Sequence, residues 1–232
     1  MIAISSAGTW VDQRAEEFAE APTEDLLRWV IDQYGADFTV ACAFGPESII
    51  LIDLLSQLQP VVQAFFLDTG FHFQATLDLQ QKMTERYPNL ALTVVRPRLN
   101  VSQQNAVYGA DLPQQNPDQC CQLRKVEPLQ RALQGYRCWL SGLRREHAPN
   151  RSQTPLLHWD SRQMLKVNPL ADWSKGRMWQ YILERGLPYN SLLDEGYTSI
   201  GCAPCTRRPL PDTDERSGRW QGTTKRECGI HL

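Results

Sequence analysis

FTVACAFGPESIILIDLLSQLQPVVQAFFLDTG, residues 38–70, is the stretch whose reading decides the fold. FTVACAF (38–44) is a short apolar run, and Gly45 and Pro46 break it. ESIILIDLLSQL (47–58) has helical length and apolar character, and VVQAFFL (61–67) is a second apolar run ending in the turn Asp68-Thr69-Gly70. Strands without polar alternation are buried on both faces. Alternating with helices, they predict a parallel sheet covered on both sides, an α/β fold. In such sheets a ligand sits in the loops after the strands, at their carboxyl ends.

Working outward, Thr23 reads as an N-cap with Glu24 and Asp25 in the first turn of a helix that Gly35 ends. Its apolar stripe is Leu26, Leu27, Val30, Ile31 and Tyr34. Residues 73–86 read as a helix, ALTVV (91–95) as a third strand and YRCWLSGL (136–143) as a fourth. The ligand-facing loops are then 44–47, 68–72, 96–105 and 142–151. The Gln-rich QQNPDQ (114–119) reads as a loop, and SKGRMWQYILERG (174–186) as a helix. After residue 150 the strand pattern weakens. The expected organisation is an N-terminal extension (1–22), an α/β domain (23–205), and a mobile C-terminal tail (206–232) rich in Pro, Asp, Arg and Gly.

The chain of 232 residues is 42% hydrophobic and 22% charged, the balance of a folded globular protein. A net charge of −2 gives no overall attraction to nucleic acid or membrane. Locally, residues 120–151 carry seven Arg or Lys against two Glu, and residues 206–232 carry six against four acids. An anionic ligand between those segments is one reading; a solvated basic face is the other. No apolar run reaches the roughly 18–20 residues of a membrane span. The first twenty residues lack the basic start and apolar stretch of a secretory signal. A cytoplasmic location is expected.

In a reducing compartment, seven cysteines point to metal binding or reactivity rather than disulfides. Cys120-Cys121 is an adjacent pair and Cys202-Ala203-Pro204-Cys205 is a CxxC. Together they supply four thiolates, a set that suits a 4Fe-4S cluster, a structural zinc or a redox dithiol. Adjacency favours the cluster, because neighbouring side chains can reach different corners of a cube. Cys42 and Cys138 lie within apolar strands and read as small buried hydrophobes. Cys228 stands apart. It lies four residues from the end, beside Lys225 and Arg226, with His231 close by. An ordinary thiol is only about 3% thiolate at pH 7, and neighbouring cations raise that fraction. Cys228 is the candidate nucleophile.

At these residues the chain resembles the assimilatory adenylylsulfate reductases, the iron–sulfur branch of the family that also reduces 3′-phosphoadenylylsulfate. The resemblance runs through CCQLRKVEPL (120–129), WLSGLRREHAPNR (139–151), GCAPCTRRP (201–209), DERSGRW (214–220) and KRECGIHL (225–232). It implies an adenine nucleotide alpha hydrolase-like sheet. It implies that Cys120, Cys121, Cys202 and Cys205 ligate a 4Fe-4S cluster. It implies that Cys228 takes the sulfite group from adenylylsulfate as an S-sulfocysteine, which reduced thioredoxin or glutaredoxin then resolves. Lys125, Arg144, Arg151, Arg216 and Arg219 match positions lining the anionic pocket, and Gly142 and Leu67 positions that approach adenosine through backbone atoms. His231 joins the same substrate set. The resemblance says nothing of oligomeric state, and a homo-oligomer is compatible with it.

One departure is visible. Relatives usually carry serines in the loop after the first strand, where this chain has Ala41-Cys42-Ala43-Phe44-Gly45. Phosphate contacts there fall to Gly45 and to N–H groups opening the next helix. The same departure weighs against an ATP-dependent sulfur transferase acting on tRNA, which needs a Ser-containing phosphate loop. A 3′-phosphoadenylylsulfate or dual-specificity reductase and a zinc-stabilised nucleotide-binding module complete the alternatives.

Overall fold

The computed structural model describes residues 4–209 and 214–231, without the side chains of residues 4–8. The parts of the N-terminal extension and of the tail at 1–3, 210–213 and 232 lie outside it.

Six strands form one sheet in the order β3-β2-β1-β4-β6-β5. They are β1 (Phe38–Cys42), β2 (Val62–Leu67), β3 (Leu90–Val95), β4 (Cys138–Leu140), β5 (Leu157–Trp159) and β6 (Leu165–Val167). Pairing is parallel from β3 through β6, and β5 closes the edge antiparallel to β6. The expected parallel sheet is therefore present with one antiparallel edge strand. That edge hairpin escapes a sequence reading because each strand is only three residues long. Its turn is built by Asp160, whose carboxylate accepts from the N–H groups of Arg162 and Met164.

The strands alternate between two cores, as side chains along a strand must. Val62, Ala64 and Phe66 face the larger core with helices α2 (Thr23–Tyr34), α3 (Pro46–Leu58) and α9 (Lys175–Glu184). Phe65 faces the other side, with Val95, Trp139 and the helix α8 (Glu127–Ala132) carrying Leu129. Every residue from Glu47 to Leu55 of α3 is buried, so this helix is central rather than amphipathic. Ile50, Leu51 and Leu55 are fully enclosed, each stabilising the fold by about 1.5–3 kcal/mol. The helix α4 (Gln74–Arg86) follows β2, as expected.

Three local expectations change, at Thr23 and in the loops 96–105 and 114–119. α2 begins after Pro22, so Thr23 is its first residue rather than its cap; the Thr23 hydroxyl accepts instead from the buried indole of Trp173 at 2.8 Å. Of the two states open to the N-terminal extension, loose or helical, its described part takes the helical one as α1 (Ile4–Phe18), and Trp10 stacks on Trp159 of β5. The loop after β3 is cut short by α5 (Val101–Tyr108), opened by an Asn100–Gln103 capping box. The expected loop 114–119 contains α6 (Leu112–Gln115) and α7 (Pro117–Cys121), with Asn116 capping Pro117 at the first position.

Between α7 and α8 the helix widens into a π-turn, Gln122–Val126. Pro128 explains it. It has no N–H for the carbonyl of Arg124 and its ring would strike that carbonyl, so the turn before it opens.

Candidate active site

The chain reverses direction across the sheet between β1 and β4, and the crevice at their carboxyl ends is the place where such sheets bind ligands. A cavity of about 400 Å³ lies there. Its floor is the loop after β1, the end of β2 and the loop after β4, and its roof is the tail. Phe44 takes a positive φ of 53° in the first loop while its ring packs on Phe66, an uncommon strain for a bulky residue.

Gly45 lines the cavity as the residue before α3, and Ser48 turns its hydroxyl back to the Gly45 carbonyl. Gly142 lies against the opening of α3: an added Cβ there would come within 2.6 Å of the Glu47 Cβ. The glycine is thus required by close packing of the β4 loop on the helix. The Leu67 carbonyl faces the cavity rim with the His72 ring nitrogen 3.0 Å from it. His72 is a residue that sequence reading did not single out.

The five expected cations all line the cavity, but three of them are already paired. Arg144 is 1% exposed; its Nε donates to Glu47 Oε1 at 2.9 Å, and Nη1 reaches Glu146 and the Trp173 carbonyl. Burial works against the Glu47 carboxylate, yet His147 and Arg144 outweigh it and hold its pKa below the usual value. Arg151 and Arg216 both donate to Glu227 of the tail. Glu47 and Glu227 were not expected site residues. Their signal was the physical rule that buried guanidinium groups need counter-charges. Lys125 and Arg219 instead act on Cys228, their positive charge favouring its thiolate.

Cys228 is 9% exposed and packs with Cys121 and Trp220. Burial pushes its thiol up, but Lys125, the Ile230 N–H and Arg219 prevail and bring it below the ordinary value. The described tail is seated closed. His231 stacks on Trp139, with ring centroids 6.1 Å apart and planes within 2°. Burial and the surrounding Lys166, Arg151, Arg216 and Lys125 keep that imidazole neutral. Arg219 pairs with Thr206 in a short bridge, and Trp220 N–H donates to the Cys205 carbonyl. Gly201 allows this, since a Cβ there would collide with the Arg219 guanidinium.

A second, smaller cavity shares Lys125 and Trp220 with the first. Cys120, Cys121, Cys202 and Cys205 all line it. Among the described residues, no three His, Cys, Asp or Glu side chains are grouped to hold a single metal ion. The wall also carries donors without partners: Arg124 Nη2 and Trp220 Nε1 are buried and bond to nothing in the protein. Thr69 Oγ1 lies 3.3 Å from Cys202 Sγ. Four cysteine sulfurs and two idle N–H donors around one small cavity are a donor set that suits a thiolate-bound, acceptor-rich group. All seven cysteines are free thiols.

With this geometry in view, the chain can be set beside known proteins. Residues 37–208 match the phosphoadenosine phosphosulfate reductase domain. The chain is 50% identical over 226 residues, 96% of its length and 94% of the relative's, to the phosphoadenosine 5′-phosphosulfate reductase of Gloeobacter violaceus. It is 46% identical over 209 residues, 90% of its length and 89% of the relative's, to the adenosine 5′-phosphosulfate reductase of Geobacillus kaustophilus. The crystal structure of the phosphoadenylyl-sulfate reductase of Candida auris superposes with a TM-score of 0.75 at 31% identity, covering 83% of this chain and 94% of that one. The fold and the doubly lined crevice are those of an α/β nucleotide-binding enzyme. Within that class, the chain belongs to the phosphoadenosine phosphosulfate reductase domain family.

Proposed function

We propose that this protein is an oxidoreductase of sulfate assimilation that converts adenylylsulfate to sulfite and AMP. The larger cavity takes the nucleotide. The Cys228 thiolate attacks the sulfur, the bond from sulfur to the phosphate oxygen breaks, and AMP leaves with that electron pair. Cys228 is left as S-sulfocysteine. A thiolate of reduced thioredoxin, or of glutaredoxin, then attacks the Cys228 sulfur and expels sulfite. A second thiol of the carrier resolves the mixed disulfide, regenerating Cys228 and oxidising the carrier.

The observation that carries the reading is the position of Cys228, which lines the larger cavity and packs on Cys121 and Trp220 of the smaller one, within the field of Lys125 and Arg219. The attack brings negative charge to a negative substrate. A unit-charge pair at 4 Å is worth about 4 kcal/mol at an effective dielectric of 20, so such cations can offset the repulsion and stabilise departing AMP. The second half-reaction needs Cys228 outside. The 23 residues from Cys205 reach at most about 80 Å when extended, so a released tail can present that sulfur to a protein reductant.

Cys120, Cys121, Cys202 and Cys205 would hold a 4Fe-4S cluster, which supplies a charged, structural neighbour to Lys125. The reductant requirement and the free thiols suit a cytoplasmic setting. Among the described residues no helix is long and apolar enough to cross a membrane. Two of the similar proteins bear the name of the 3′-phosphorylated nucleotide, which makes a 3′-phosphoadenylylsulfate or dual-specificity reductase the second reading. Assays with both nucleotides separate the two.

The decisive test incubates anaerobically purified protein with sulfur-radiolabelled adenylylsulfate and no reductant, then maps the label by peptide. Label on the peptide holding Cys228, released as sulfite by thioredoxin, is the expected outcome. Label absent from that peptide would end the proposal.

A further inference from the structure

The tail carries its own anion into the cavity. Glu227, next to Cys228, is nearly enclosed, with 12% of its side chain exposed. Arg151 grips it through one edge of the guanidinium: Nε donates to Oε1 at 2.8 Å and Nη2 to Oε2 at 3.0 Å. Arg216 Nη2 adds a bond to Oε2 at 3.0 Å, and Asn150 Nδ2 one to Oε1 at 3.2 Å. The same Arg216 nitrogen reaches the Arg226 carbonyl at 3.1 Å. The third nitrogen of Arg151, Nη1, lies 3.4 Å from His147 Nδ1. The fork of Arg151 is therefore full. A phosphate or sulfate presents the same bidentate oxygens as a carboxylate and would bind the same edge.

We propose that Glu227 is a stand-in for the substrate's anionic group: it holds the tail closed in the empty enzyme and surrenders Arg151 when the nucleotide arrives. This rests on the reading of the larger cavity as the nucleotide site. The exchange gives the tail a direction through the cycle. Before transfer the His231–Trp139 stack and the Thr206–Arg219 bridge still seat Cys228 over the bound nucleotide; AMP left behind keeps Arg151 from Glu227, so the loaded Cys228 is released more readily to its reductant. When AMP departs, Glu227 returns and recloses the tail. Glu227 is thus a positioning residue, acting on Cys228 through the arginine pair.

The test compares the full-length, anaerobically purified protein with Glu227→Gln, an isostere that keeps shape and loses charge. Two quantities are read: AMP affinity by calorimetry, and the rate of Cys228 alkylation by iodoacetamide, followed by peptide mass spectrometry. Relieved of its competitor, Glu227→Gln should bind AMP about tenfold more tightly, the scale of one charge-assisted contact. Its Cys228 should be alkylated several-fold faster without ligand. In the wild type, AMP should accelerate alkylation; in the variant, AMP should add little. Turnover should show KM and kcat falling together, where a merely structural residue would raise KM. Equal or weaker AMP binding by the variant would overturn the proposal, as would wild-type alkylation that AMP leaves unchanged or slows. AMP binding to neither protein would overturn the nucleotide-site reading along with it, whereas failed labelling of Cys228 with AMP still bound would strike the transfer chemistry alone.

Discussion

Replacing Arg144 with methionine separates charge from volume at the buried heart of the site. Methionine keeps the apolar stem and removes the guanidinium, of which 2% of the side chain is exposed. What remains is a Glu47 carboxylate, itself 8% exposed, whose nearest side-chain partner is His147 at 3.8 Å, an imidazole that burial holds below its ordinary pKa. Removing one member of a buried pair costs about 3–5 kcal/mol, because the other charge is left uncompensated. His147 can still donate to the carboxylate, which places this case near the lower figure, about 3 kcal/mol. For a chain of this size that is a fall in Tm of roughly 10 °C.

The pH dependence tests the cause. In the wild type Glu47 titrates below its usual value, so its stabilisation is complete above the unfolded pKa of about 4.3 and is lost as pH falls through the lower folded value. Without Arg144, burial dominates and the folded pKa rises above the unfolded one. The penalty is then full at about pH 8 and shrinks as Glu47 protonates toward about pH 5. Glu47→Gln combined with Arg144→Met should recover most of the lost Tm, since no unpaired charge remains. Anaerobic scanning calorimetry of the three proteins at three pH values supplies the measurement. A single variant within a few degrees of wild type, a gap indifferent to pH, or a double variant no better than Arg144→Met would refute the reasoning.

Two further outcomes follow from the same geometry. Gly142→Ala forces a Cβ to within 2.6 Å of Glu47 Cβ and 3.3 Å of the Ser48 nitrogen, so the start of α3 must move. Thermal unfolding should show a loss of about 1–3 kcal/mol with weakened AMP binding, and unchanged values for both would mean the approach is not tight. Lys166 is buried with its ammonium 4.7 Å from the Trp139 ring centroid; burial, opposed by Asp160, pushes its pKa down to about 8. A depressed lysine penalises the fold at neutral pH and is relieved as pH rises toward the unfolded value of about 10.4. Lys166→Met should therefore stabilise by about 1–2 kcal/mol at pH 7, with a gain that vanishes by about pH 10 in unfolding titrations.

The parallel centre of the sheet was legible because β1 and β2 are apolar without alternation, a pattern only a doubly covered strand permits. β5 and β6 were not, since three residues are too few to display a period. The cysteines were legible by spacing, and the structure brings the two pairs to one cavity. The cations were legible as a cluster, but their pairing was not. Glu47 lies 97 residues from Arg144 and Glu227 lies 76 from Arg151, separations that only the folded chain closes. Asn116-Pro117 was a helix start mistaken for a turn, because the Gln-rich context hid a cap followed by proline.

The backbone ladder joining Trp220 to Cys205 and Arg207 to Gly218 makes the root of the reactive arm an extension of the cysteine loop. A displacement of Cys202 or Cys205 would then pass along those hydrogen bonds into residues 218–220 at the start of the tail. If the cluster proposed above sits there, oxygen that dismantles it would disable the enzyme mechanically, by slackening the base of the tail.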